Sequence, residues 1–386
     1  MKKASPPFDV AALVRDPATR VVVTCGSGGV GKTTTAAAMA LIGAEAGRRT
    51  VVLTIDPARR LAQSMGLTEL DNTPREVKGV ANGQLFAMML DMKRTFDDVV
   101  LEHSTPERAE QIFKNPFYQS LSSSFAGTQE YMAMEKLGQL VAANEWDLVI
   151  VDTPPSRSAL DFLDAPNRLG RFLDGRMIRV LTAPAKAGGK AYMKVVTVSV
   201  GMVARVFTKV IGGDLLNDLS TFVTALESMF GGFRERAQQT YELLKQPGTA
   251  FVVVAAPEPD ALREASYFVE RLSQEQMPLS GVIVNRVRRA AAVENDEPMP
   301  AARAEVAADT AAAKASTAKD GGAAEALAEA ALRVHAEIAT AAEHDARMTK
   351  RFSSAHPLVP LVSVPALPAD VHDLDGLRTI GDLLGS

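Results

Sequence analysis

Residues 26–34 read Gly26-Ser27-Gly28-Gly29-Val30-Gly31-Lys32-Thr33-Thr34. A β-branched run, Val21–Thr24, comes before them and a helical pattern, Thr34–Ala46, comes after. The stretch fits G-x-x-x-x-G-K-[ST] in the strand–turn–helix context that this motif needs. Glycines let the backbone curl until several N–H groups point at one place. The helix that follows adds its own unpaired N–H groups and the positive end of its dipole, so the loop suits a phosphate chain. Gly26, Ser27, Gly28, Gly29, Val30, Gly31, Lys32, Thr33 and Thr34 are therefore the expected nucleotide-binding residues. In such loops the lysine, here Lys32, reaches the β- and γ-phosphates, and the hydroxyl of the next residue, here Thr33, ligates Mg²⁺.

The same residues contain G-x-G-x-x-G (Gly26, Gly28, Gly31), which a dinucleotide-binding fold would use together with an acid at the end of its second strand. Lys32-Thr33 directly after the last glycine argue against that alternative. So does a further apolar run, Asp147–Val151, ending at Asp152, which suits a Walker-B carboxylate for Mg²⁺.

Outward from the loop, short apolar runs recur at Thr50–Ile55, Leu85–Leu90, Phe251–Ala255, Gly281–Val284 and Leu358–Val364. Most are continuously apolar, as expected of strands covered on both faces. Helical patterns, such as Ala261–Leu272, separate several of them. This alternation predicts an α/β fold: a doubly wound, mostly parallel sheet with right-handed crossovers. Asp56 and Asp152 follow two of the strands, so both should face the phosphate loop from the carboxyl edge of the sheet. One acid would help hold Mg²⁺ and the other would orient water at the γ-phosphate. Asp91 also ends a strand, and helix cap and site residue are both open for it.

Two regions break the rhythm. Residues 95–140 and 167–246 read as mainly helical, and in the second Leu219, Phe222, Val223, Leu226, Met229, Phe230 and Phe233 form one apolar stripe. They are expected as a helical layer added to the sheet. Between Ala301 and Asp345, 20 of 45 residues are alanine with almost no large apolar side chains. That composition supports helix but no core, so 290–347 is expected to be an exposed, partly disordered insertion. The expected organisation is thus a core over 1–94, helical layer over 95–140, core strand and second switch over 141–166, and helical layer again over 167–246. Core resumes over 247–289, the insertion covers 290–347, and 348–386 closes the core.

Composition narrows the function. With 42 basic and 46 acidic residues the net charge is −4, which disfavours a general nucleic-acid binder. The one cysteine, Cys25, rules out an intramolecular disulfide or an all-cysteine metal cage within one chain and fits a reducing compartment. The first residues carry no apolar segment of signal-peptide length. The longest apolar run, Val195 to Ile211, is broken by Arg205 and Lys209. A cytoplasmic location is expected, with room for peripheral contact at the inner face of a membrane.

Several motifs occur in one order: the loop, Thr54-Ile55-Asp56-Pro57-Ala58, Gly127-Thr128-Gln129-Glu130, Asp152-Thr153-Pro154-Pro155-Ser156, Pro257-Glu258-Pro259, Val284-Asn285-Arg286 and Pro365-Ala366-Leu367-Pro368. In this combination the chain resembles the family of the arsenite-pump ATPase and the ATPase that delivers tail-anchored membrane proteins, in the branch often labelled anion-transporting ATPase. The resemblance implies an ATPase that uses ATP and Mg²⁺ and works as a nucleotide-sandwich dimer. Asp56 and Pro57 would form a first switch whose aspartate, with Lys32, is catalytic. Asp152, Thr153 and Pro154 would begin a second switch, Asn285, Pro365 and Leu367 would line the adenine pocket, and Glu130 would match a glutamate of the helical region. Dimer closure would drive a hydrophobic client or a membrane partner.

Three departures matter. Ser27 stands where the family's loop carries a lysine that reaches the other subunit's phosphates. Ser156-Arg157-Ser158 replaces Thr-Gly-His. The thiols that bind arsenite or zinc in relatives are missing. The first departure leads to the expectation of a heterodimer with a paralogous P-loop ATPase; a homodimer completed by Arg157 is the alternative. It also leaves open an ATP-binding regulatory subunit with little turnover; a partitioning ATPase is a weaker reading. Met177, Met193, Met202 and Met229 lie among Lys186, Lys190, Lys194, Arg205 and Lys209. They suit either an adaptable client surface or an ordinary core under a solvated face.

Overall fold

The computed structural model describes residues 5–55, 60–115, 118–119, 128–154, 235–291, 297–317 and 322–385. Asp56, Pro57, Gly127, Arg157 and the methionine–lysine segment lie outside them, as does most of 155–246.

Among the described residues eight strands form one sheet: β1 (Val21–Cys25), β2 (Arg49–Thr54), β3 (Arg75–Val77), β4 (Gln84–Met89), β5 (Leu148–Asp152), β6 (Thr249–Ala255), β7 (Leu279–Val287) and β8 (Leu361–Pro365). Their spatial order is β3-β4-β2-β5-β1-β6-β7-β8. Each neighbouring pair is parallel except β3 with β4. This is the mostly parallel α/β sheet expected from the continuous apolar runs. The sequence reading missed only β3, a three-residue edge strand with two exposed residues and no apolar run.

Helices cover both faces. α1 (Val10–Arg15), α2 (Lys32–Glu45) and α3 (Arg60–Ser64) pack on one, with the C-terminal helix Leu374–Leu384. There Val22, Val52, Ile150 and Val252 meet Met39, Leu41, Leu61 and Leu377. The other face takes α4 (Met92–His103), α5 (Pro106–Lys114), α6 (Thr128–Ala142) and α7 (Pro259–Gln274). There Val23, Leu53, Val151 and Val253 meet Phe96, Leu137 and Phe268. The two sets of strand residues alternate, as the two-residue period of a pleated strand requires. Asp91 is the N-cap of α4, accepting from Arg94 N at 2.9 Å. A helical stretch over 235–245 is tied to α6 by Arg236, which donates to both oxygens of buried Glu135 at 2.9 and 3.1 Å.

The alanine-rich region differs from its expectation. It folds as an antiparallel pair, α8 (Ala301–Thr317) and α9 (Ala323–Ala355). Alanine is the strongest helix former. Its small side chain also lets two helices approach closely, so Ala301, Ala304 and Ala308 on α8 and Ala336 and Ala339 on α9 are buried without any large apolar residue. At 33 residues α9 is about 50 Å long. It runs straight through the expected boundary at 347 and delivers Phe352 to the core.

Arg288, just past β7, fixes the pair to the sheet. Its Nε and backbone N donate to Asp345 Oδ2 at 2.9 Å, and its Nη2 to Oδ1 at 2.5 Å. Burial opposes the charge of Asp345, but these hydrogen bonds and the guanidinium outweigh it and hold the carboxyl below the usual range. Asp345→Asn should therefore cost about 1–3 kcal/mol at pH 7. A carboxyl depressed on folding adds stability above its unfolded value, and that stability is lost as pH falls through the lower folded value. Urea midpoints of the native chain and the variant should converge below about pH 4, near the ordinary carboxylate value. A gap that does not change with pH would contradict this account.

Candidate functional site

The phosphate loop joins β1 to α2 at the carboxyl edge of the sheet. Gly26 is required for space, because a Cβ there would lie 2.0 Å from Val254 O. Gly31, the N-cap of α2, takes φ +91°, and a Cβ would meet Asn285 Nδ2 at 2.4 Å. Lys32 begins α2. It is only 6% exposed, and its Nζ donates to Ser27 O at 2.8 Å, so the ammonium is folded back across the loop. Ser27 Oγ is buried with no hydrogen-bond partner among the described residues.

Strand order brings the second acid to this loop. β5 is inserted between β2 and β1, in register with Thr24 and Thr54 beside Asp152. Asp152 is fully buried. Its Oδ2 accepts from Thr33 Oγ1 at 2.8 Å and from Thr54 Oγ1 at 3.0 Å. Thr153 Oγ1 donates to Thr24 O at 2.6 Å and fastens the start of the expected second switch to β1. Thr33 and Asp152 thus meet as expected. Thr153 was expected as part of the second switch, but the hydrogen bond of Thr54 to Asp152 was not; its signal was a hydroxyl at the carboxyl end of β2.

On the other side of the loop, Asn285 Nδ2 donates to Val30 O and Arg286 Nη1 to Gly29 O, both at 2.9 Å. Pro365 lies at the end of β8 beside Val287. Leu367 packs against the apolar cluster on the α2 face. The backbone of Glu130 falls in α6. The Cys25 thiol is buried, and desolvation, only partly offset by nearby Lys32, pushes it up to about 12.

These residues suit a polyphosphate with a divalent cation. The loop is one that side chains at 26 and 31 would fill. A buried ammonium and an orphan serine hydroxyl line it, and a threonine hydroxyl and a carboxylate, both hard oxygen donors, stand together at its edge. The sheet, the loop and this acid define the P-loop NTPase class of fold.

Within that class, the sequence profile of one family, described as anion-transporting ATPase, matches residues 19–310, and the chain belongs to that family. It is 33% identical to "ATPase ASNA1 homolog 1" of Paramecium tetraurelia over 39% of this chain and 44% of that one. It is 28% identical to "ATPase ARSA2" of Chlamydomonas reinhardtii over 68% and 66%. To "ATPase GET3" of Podospora anserina it is 27% identical over 68% and 71%. The chain thus spans 44% and 66% of the Paramecium and Chlamydomonas relatives it matches.

Proposed function

We propose that this protein is a Mg²⁺-dependent ATPase that hydrolyses ATP to ADP and phosphate and couples the nucleotide state to a partner. The observation that carries the reading is Thr33 and Asp152 in hydrogen bond beside the Lys32 loop. Residues Gly26 to Thr34 cradle the phosphates. Lys32 exchanges Ser27 O for phosphate oxygens when ATP arrives. Thr33 and Asp152, already joined by a hydrogen bond, are the residues that would hold Mg²⁺. When bound there, the ion would supply charge neutralisation at the phosphate oxygens. Asp56 orients the attacking water. Asp56 and Pro57 form one switch, and Asp152, Thr153 and Pro154 the other. Asn285, Pro365 and Leu367 border the adenine.

On the family resemblance of its motifs, we further propose a cytoplasmic dimer whose closure acts on a hydrophobic client or membrane protein. No helix of the described residues is long and apolar enough to cross a membrane. Ser27 favours one second reading, a chain with little turnover of its own inside a heteromeric ATPase.

The assignment of Asp56 supplies the test. Asp56→Asn should keep the ATP-induced rise in melting temperature and lose about 10²- to 10⁴-fold in phosphate release, the usual worth of a positioned base. A variant that turns over like the native chain would remove Asp56 from the mechanism.

A further inference from the structure

β7 is bulged against β8. Its pairing passes from Val284 opposite Ser363 to Val287 opposite Pro365, so three steps on β7 match two on β8. The bulge holds Asn285 and Arg286. Arg286 takes φ +61°, an unfavourable region for a residue with a Cβ. Asn82, Asn144 and Gln276 also have positive φ, but they sit in a bend or in turns, and Arg286 is the one such non-glycine residue of the described chain inside a strand.

The irregularity has a geometric result. In a regular strand, neighbours 285 and 286 would point to opposite faces. Here both reach the same loop and hold consecutive carbonyls, Asn285 on Val30 O and Arg286 on Gly29 O. A trans peptide directs its N–H opposite to its C=O. Holding O29 therefore turns the N–H of Val30 away from this corner, and holding O30 does the same for Gly31. An anion-binding nest needs such successive N–H groups turned one way. Bulges beside sites commonly serve to re-aim a side chain, and backbone strain concentrates where a site requires it.

We propose that Arg286 is a positioning residue for the phosphates of the nucleotide. From its strained place in β7 it sets the Gly29–Val30 peptide, as Asn285 sets the next one, so the loop is oriented before ATP arrives. The inference rests on the reading of this loop as a nucleotide site. It acts through the backbone rather than through the charge of Arg286, and the planar guanidinium is suited to fixing a carbonyl direction.

The test uses the full-length chain and Arg286→Gly, Arg286→Ala and Arg286→Lys. Mg-ATP affinity is measured by calorimetry at low and high salt, and melting temperature without nucleotide. Glycine relieves the φ strain, so Arg286→Gly should melt no more than about 2 °C below the native chain. It should nevertheless bind Mg-ATP about 10- to 100-fold more weakly, the worth of a hydrogen bond from a charged donor. KM for ATP should rise more than kcat falls. Arg286→Ala should bind as weakly and also melt lower, and Arg286→Lys should not restore native affinity. Native affinity in Arg286→Gly would overturn the proposal. So would full rescue by lysine or a loss that disappears at high salt, both of which mark a point charge. Failure of the native chain to bind Mg-ATP would reject the nucleotide reading itself, a result distinct from these.

Discussion

Lys32→Ala is expected to abolish the response of this chain to ATP. A ligand present at 1,000 times its Kd stabilises the folded state by about 4 kcal/mol, and a melting curve in millimolar Mg-ATP should show that shift in the native protein. In the variant most of it should vanish, with turnover lower by about 10³-fold or more, in line with the loss of preorganised charge at a reacting phosphate. The ammonium is suited to this because it is already desolvated and donates to a loop carbonyl, Ser27 O. It can move from that carbonyl to phosphate oxygens without crossing bulk water. Without nucleotide the variant should stay folded, since the Nζ of Lys32 donates within the loop itself, to Ser27 O. Equal melting shifts for the native and variant chains would end the assignment of this loop.

The second large effect concerns the residue that lacks a charge. Ser27→Lys is expected to raise the turnover of the purified chain. A cation delivered to another subunit's phosphates is worth roughly 10³–10⁵ in rate where an arginine does it, and serine supplies none. A homodimer of this chain would lack that cation at both sites. A heterodimer with a lysine-bearing paralogue would regain it at the site holding this chain's ATP. Phosphate release by the native chain should therefore be slow, and should rise on adding such a paralogue. A brisk native homodimer, unchanged or slowed by Ser27→Lys, would favour a substitute such as Arg157 and reject the heterodimer.

Much of the architecture could be read in advance because it is written in local chemistry. Buried parallel strands need unbroken β-branched runs, so Val21–Val23 and Val149–Val151 announced themselves. The phosphate loop was legible because lysine and threonine after a glycine turn have few other uses. What escaped was set by tertiary contact. Arg75–Val77 is a strand only because β4 lies beside it. The alanine-rich helices lack the large apolar residues from which a core is usually inferred, yet alanine at 304 and 308 facing 336 and 339 needs none. The reach of Arg286 to Gly29 depends on a bulge and a positive φ, and neither leaves a mark in a run such as Val284-Asn285-Arg286. Asp56 and Pro57 fall outside the described residues, so their roles rest on the motif.

Cys25 has a practical consequence for following such a machine in motion. It is the sole cysteine of the chain, and it is sealed at the end of β1 with a thiol displaced to about 12. At neutral pH the nucleophilic thiolate is scarce, and burial excludes reagent as well. The natural sequence is thus expected to behave toward maleimides as a cysteine-free background. Cysteines placed on exposed positions, such as Leu327 near the start of α9 and Leu101 on α4, would be the ones to take up spin labels or dyes. Distances across the molecule could then be read with and without nucleotide while the phosphate loop keeps its native residue at position 25.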